Sequence, residues 1–211
     1  MLTVPRMDRE QIVEAALQLL DEQGLPGVTT RRIADRLGVK SASLYWHVRN
    51  RDHLLDLLAD RVVADAQWPE PTLSWRAQVE ALMAEYLRCL LAHRDAAQLS
   101  AGRPPRGPHR LRGAETMLSA LLAAGLGEQQ AIDATLVLTT YVVGFALERD
   151  AAGAQPSDAA APTTQAAPRG QFPTLERLSP MLQPPGPVNR FEAGLALILD
   201  GIEARLADRR R

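Results

Sequence analysis

The sequence predicts an all-α protein. Apolar residues recur at helical spacing along nearly the whole chain, period-two alternation is rare, and β-branched clusters are few. The 211 residues are enough for one large domain or two smaller ones. Hydrophobic residues make up 46% and charged residues 23%, the balance of a soluble globular chain. The formal net charge is −1, so any nucleic-acid signal must be local. Cys89 is the lone cysteine and cannot staple the fold; it fits a reducing, cytoplasmic setting. No run of about 18 uncharged apolar residues is present, and MLTVPRMDRE carries no apolar leader segment. No membrane and no signal peptide are therefore expected.

Each element follows from its caps and its stripe. Asp8 is positioned to cap a first helix running to Gln23, with Ile12, Ala16, Leu19 and Leu20 on one face and Gly24 at its end. Thr29 or Thr30 caps a second helix of about eight residues, ending at Leu37–Gly38. Ser41 is expected to cap a third, reaching about His47. A fourth starts at Arg51 or Asp52 and buries Leu54, Leu55, Leu58 and Val62. Trp68–Pro69–Glu70–Pro71 breaks the pattern, which divides the chain into domains 1–67 and 68–211. Beyond it, Ser74 caps a long helix to about His93, and short helices cover 94–101 and 110–124. The helix from 128 to about 151 is apolar on several faces, which requires burial on most sides. Residues 151–171 are rich in Ala, Pro, Gly, Thr and Gln without periodicity and read as a mobile loop. A short helix near 172–182 and a last one over 189–207, with Phe191, Leu195, Ile198, Leu199 and Ile202 on one side, complete the chain.

The stretch TTRRIADRLGVKSASLYWHV, residues 29–48, carries the functional signal. Two short helices meeting at Gly38 form a helix-turn-helix, since glycine takes the left-handed backbone of a tight turn. Ile33, Ala34, Leu37, Val39 and Leu44 would hold the pair together. Between Arg31 and Arg51 six cations face one carboxylate, Asp35. Phosphate contacts supply affinity and register, so such a surface suits operator DNA, a double-stranded partner. Lys40, Ser41, Ala42 and Ser43 open the helix expected in the major groove, where hydroxyls and a methyl meet base edges. Tyr45, Trp46 and His47 would flank the groove, and Thr30, Arg31 and Arg51 would grip the backbone. The bland alternative makes the two rings core residues of a small bundle. Enzymes are disfavoured: His47, His53, His93 and His109 are scattered, and no HExxH, GxSxG or glycine-rich phosphate loop occurs. His93–Arg94–Asp95 is a helix junction.

TTRRIADRLGV and LYWHVRNRDHLLDLLAD resemble the DNA-binding domain of the tetracycline repressor (TetR) family, and LLAHRDAAQLSAGRP and GFALERD extend the similarity over most of the chain. The resemblance implies an all-α homodimer, DNA binding by the first three helices, and a small-molecule pocket in the C-terminal domain. It further implies a four-helix interface made by helices 128–151 and 189–207 of each subunit, hence a roughly palindromic operator. Members that bind tetracycline hold a magnesium chelate. Their ligand positions fall here on Ser100 (or Leu99), Leu82, Tyr86, Gln67, Met117 and Thr140, and only the glutamate, Glu148, is kept. Without a histidine near Ser100 a hard-cation chelate has little to hold it, so no metal or cofactor is expected. The replacement set is more apolar: Leu82, Met83, Tyr86, Leu99, Met117, Leu121, Ile132, Thr135, Thr139 and Thr140, with Ser100 and Glu148. It suits an apolar or aromatic small-molecule effector, whose binding would release a repressor from DNA.

Overall fold

The computed structural model describes residues 8–154, 170–182 and 187–209. Ten α-helices and no strand occur among these residues. They are α1 Arg9–Gln23, α2 Thr30–Leu37, α3 Ser41–Leu44, α4 Arg51–Val62, α5 Trp75–Leu91, α6 Ala96–Ser100, α7 Pro108–Ala123, α8 Glu128–Ala154, α9 Pro173–Leu182 and α10 Pro187–Arg209. A 3-10 turn, Leu25–Gly27, separates α1 from α2.

Asp8 caps α1 through a reciprocal box with Gln11, the two bonds measuring 2.8 and 3.1 Å. Thr29 caps α2 by accepting the Arg32 N–H. Two sequence expectations are corrected at α3. Lys40, not Ser41, is its N-cap and supplies no side-chain bond, and the helix stops at Leu44 rather than His47. Asn50 caps α4 by accepting the His53 N–H at 2.8 Å. Ser74 caps α5 as expected.

Helices α1 to α4 pack on Ile12, Leu20, Ile33, Leu44, Val48 and Leu58, all buried. Helices α5, α6 and α7 pack around α8, and α10 lies along α8. There the Phe191 ring stacks on Tyr141, centroids 5.5 Å apart, and the Tyr141 hydroxyl donates to the Phe191 carbonyl at 3.0 Å. Arg76 ties α5 to α10 through Asp200 and Glu203 at 2.8 and 3.0 Å.

Helix α8 departs from expectation. Ala131, Leu138, Val142 and Ala146 are buried, but Ile132, Leu136 and Val137 are each more than half exposed. The single chain therefore buries one face of it, not most of it. By length and composition Glu128–Ala151 is able to cross a membrane. Asp133 and Glu148 interrupt it, and its other face belongs to the core. The helix also runs to Ala154, into the segment read as a loop; residues 155–169 of that segment lie outside the described residues.

Candidate functional site

Two sites take shape, one at each end of α4. At the first, Gly38 adopts φ 67° and ψ 28°, and its left-handed turn lets Val39 donate to the Ala34 carbonyl at 3.0 Å. Ile33, Ala34, Leu44 and Val48 close the space between α2 and α3. What faces outward is then fixed: Arg31, Lys40, Ala42, Tyr45, Trp46 and Arg49 are exposed, while Thr30, Ser41, Ser43 and His47 are half-buried. Trp46 is 88% exposed and Tyr45 58%, so neither ring belongs to the core.

The cations of this stretch are not equivalent. Arg36 turns back onto Glu22 of α1 and holds that carboxyl below its ordinary pKa. Arg32 reaches Gln23, and Arg51 donates to the Val28 carbonyl at 3.3 Å. Arg31 approaches Asp35 only at 4.0 Å. All six cations are exposed, and those whose side chains are not hydrogen-bonded to another element are Arg31, Lys40 and Arg49. Arg49 is missing from the residues that the sequence singled out for DNA.

The second site is a cavity of about 750 Å³ between α5, α7 and α8, roofed by the α6–α7 segment. Of the twelve residues expected at a ligand site, nine line it: Leu82, Met83, Tyr86, Ser100, Met117, Ile132, Thr135, Thr139 and Thr140. Three do not. Leu121 is fully buried in the core. Leu99 faces a separate cleft with Leu25, Asp52 and Leu55. Glu148 lies on a groove between α8 and α10 with Val137, Tyr141, Phe145 and Ile198.

The sequence reading missed Trp68, Arg103 and Arg110, all on the cavity wall, along with Leu118, Leu136, Val143 and Leu147. The α8 residues continue the spacing of Ile132, Thr135 and Thr139, and Arg110 stands seven residues before Met117 on α7, so helical periodicity could have found them. Trp68 and Arg103 lie outside helices, and no period reaches them.

The cavity's polar groups differ in what they offer. Thr135 and Thr139 donate their hydroxyls to the Ala131 and Thr135 carbonyls, each at 2.8 Å, leaving only lone pairs free. Burial pushes the Tyr86 phenol pKa up, and the Arg110 guanidinium and Ser100 hydroxyl beside it offset part of this. Arg103 and Arg110 are the charged residues of the lining; no carboxylate or imidazole is among the described residues there.

The roof of the cavity is fastened to α4. Asp60 is buried and accepts the Arg110 N–H at 2.8 Å, doing for α7 what its own N-cap, Gly107, cannot. A side chain on Gly107 would run into that carboxylate. Asp56 accepts from Arg103 at 2.9 Å and from Arg106 at 3.4 Å. At the other end of α6, Asp95 sits at φ 54° and accepts the Leu25 N–H at 2.8 Å, while His93 meets Asp21 at 3.0 Å. The helix junction read from the sequence is thus also a contact between the two halves.

Comparisons with known proteins agree with this layout. Residues 12–58 match the family described as bacterial regulatory proteins, tetR family, and residues 68–206 the tetracyclin repressor-like C-terminal domain. The chain is 34% identical over 203 residues to the class A tetracycline repressor of transposon 1721 from Escherichia coli, covering 95% of this chain and 92% of that one. It is 34% identical over 220 residues to the HTH-type transcriptional repressor DrrR1 of Streptomyces coeruleorubidus, covering 98% and 81%. Among solved structures, Streptomyces coelicolor ActR in complex with actinorhodin matches with a TM-score of 0.86 at 34% identity, covering 95% and 99% of the two chains.

Proposed function

The chain belongs to the tetR family of bacterial regulatory proteins, and we propose that it is a repressor released from a palindromic operator by an apolar or aromatic small molecule. The observation that carries this reading is the double use of residues 100–110. Ser100, Arg103 and Arg110 line the cavity, and the same segment is bonded to Asp56 and Asp60 of α4. A ligand that reshapes the roof therefore acts on the helix that carries α2 and α3.

Residues 1–67 form the DNA-reading domain in this reading and 68–211 the effector and dimerisation domain. Lys40, Ala42, Tyr45 and Trp46 meet the major groove, with Thr30, Arg31, Ser41, Ser43, His47 and Arg49 around it, and Arg51 steadies the Val28 turn. Two copies related by a two-fold axis hold their reading helices about 34–36 Å apart on one face of the duplex. The exposed apolar residues Leu136 and Val137 of α8 and Leu197 of α10 support a dimer whose partner copy packs on these helices, since exposed apolar surface of this kind marks an interaction site.

Effector and DNA affinities are then linked and reciprocal: whatever the effector does to operator binding, the operator does to effector binding. ActR, the structural relative, is seen with actinorhodin, and the largely apolar lining here supports a ring-bearing ligand. A tetracycline–metal chelate is disfavoured, because among the described residues the lining offers a hard cation no carboxylate or imidazole.

The experiment is a band-shift titration on the DNA upstream of the protein's own gene, repeated with a panel of polycyclic aromatic compounds. Specific binding that one compound class releases is the expected result. Specific binding that none releases would remove the effector from the reading while keeping the DNA reader.

A further inference from the structure

We propose that the effector is an organic acid: a ring-bearing apolar molecule whose single anionic group docks on Arg110. This rests on the reading that the cavity is the effector site. The lining itself holds two arginines and, among the described residues, no acidic side chain.

Of the two, Arg103 is already engaged by Asp56 at 2.9 Å and approached by Asp52 at 3.6 Å. Arg110 is different. Its guanidinium donates to the Arg103 carbonyl at 2.9 Å and the Pro104 carbonyl at 3.1 Å and lies against the Tyr86 phenol oxygen, and no ion pair to it is formed among the described residues. Those bonds fix the plane of the guanidinium without neutralising it. A pre-oriented guanidinium without an ion-paired carboxylate is a strong receptor for a carboxylate or sulfonate.

The groups around it are donors as well. The Tyr86 phenol lies against both Arg110 and the Ser100 hydroxyl, whereas Thr135 and Thr139 of α8 have spent their protons on their own helix. The cavity is therefore polarised: an apolar body of Leu82, Met83, Met117 and Val143, and one end rich in N–H and O–H groups. A neutral ligand leaves that end unanswered, and a cationic one is repelled. Arg110 also joins the two events, since its side chain faces the cavity and its backbone N–H is the bond to Asp60 of α4.

A matched probe pair tests this on the full chain: 1-anilinonaphthalene-8-sulfonate and N-phenyl-1-naphthylamine, the same rings with and without the sulfonate, followed by fluorescence titration. The wild type is expected to bind the sulfonate at least roughly tenfold tighter, the effect of one hydrogen-bonded charge. Arg110→Met should abolish that preference with the amine bound as before, and Arg110→Lys should retain part of it. Where Met loosens the loop, seen as weaker amine binding, Arg110→Gln keeps a donor for the Pro104 carbonyl without the charge. Ala114→Trp, which fills the cavity, should abolish binding of both probes. Equal wild-type affinities, or a preference that survives loss of the Arg110 charge, would overturn the organic-acid proposal and leave the cavity as an effector site. No binding of either probe, or binding of both by Ala114→Trp as by wild type, would overturn the cavity reading itself.

Discussion

Tyr45 and Trp46 leave most of their rings in water side by side, an exposed apolar patch of the kind that marks an interaction surface. Replacing Tyr45 or Trp46 by alanine should weaken operator binding by roughly tenfold or more, with circular dichroism and melting temperature unchanged. A variant that binds as wild type would put the reading helix elsewhere. Cys89 behaves in the opposite way. It is buried, and burial pushes its thiol pKa up despite the neighbouring Arg88. Little thiolate is present at neutral pH, so Ellman's reagent should label native protein far more slowly than urea-unfolded protein. At this scale the sequence was a fair guide to direction and a poor one to company. Placing Ile33, Ala34, Leu37, Val39 and Leu44 between the two helices told that the rings face out. It did not tell that Arg36 turns back on Glu22, 14 residues earlier, because ion pairing between helices depends on how they cross.

Helices α2 and α3 depend on a single turn. Gly38 has open space around it, so alanine there meets only the conformational cost of a left-handed residue. Gly38→Ala should lower stability by roughly 1–2 kcal/mol, and Gly38→Asn by less, measured by urea denaturation. Helix α7 depends on a distant cap. Asp60→Ala removes the acceptor from the Arg110 N–H and should cost about 1 kcal/mol; Asp60→Asn, which keeps an oxygen there, should restore most of the melting temperature. Caps within a few residues of their helix, such as Asp8, Thr29 and Ser74, were legible from local chemistry. The Asp60 cap was not, because 50 residues separate donor and acceptor. Nor was the short span of α3, where the tertiary turn at Tyr45–His47 replaces the last helical turn.

As a whole the molecule is half-finished on one side. Leu197 of α10 is 75% exposed and Val137 of α8 52%, along helices whose opposite faces are buried. Leu197→Arg should leave the fold and helical content intact, yield a monomer by light scattering, and weaken operator binding by losing the two-site advantage. A dimer that survives it would move the interface elsewhere. The sequence announced this surplus of apolar surface as a long helix that is apolar on several faces.

Leu136, Thr140 and Gly144 belong at once to the cavity wall and to the groove between α8 and α10. If the second copy seats on that groove, it completes the wall of the chamber proposed for the effector. Occupancy then carries a mass-action dependence on how many copies a cell holds. In a cell with few copies, effector binding is then weaker than the affinity of the assembled pair implies, and making more of the protein moves it toward that affinity.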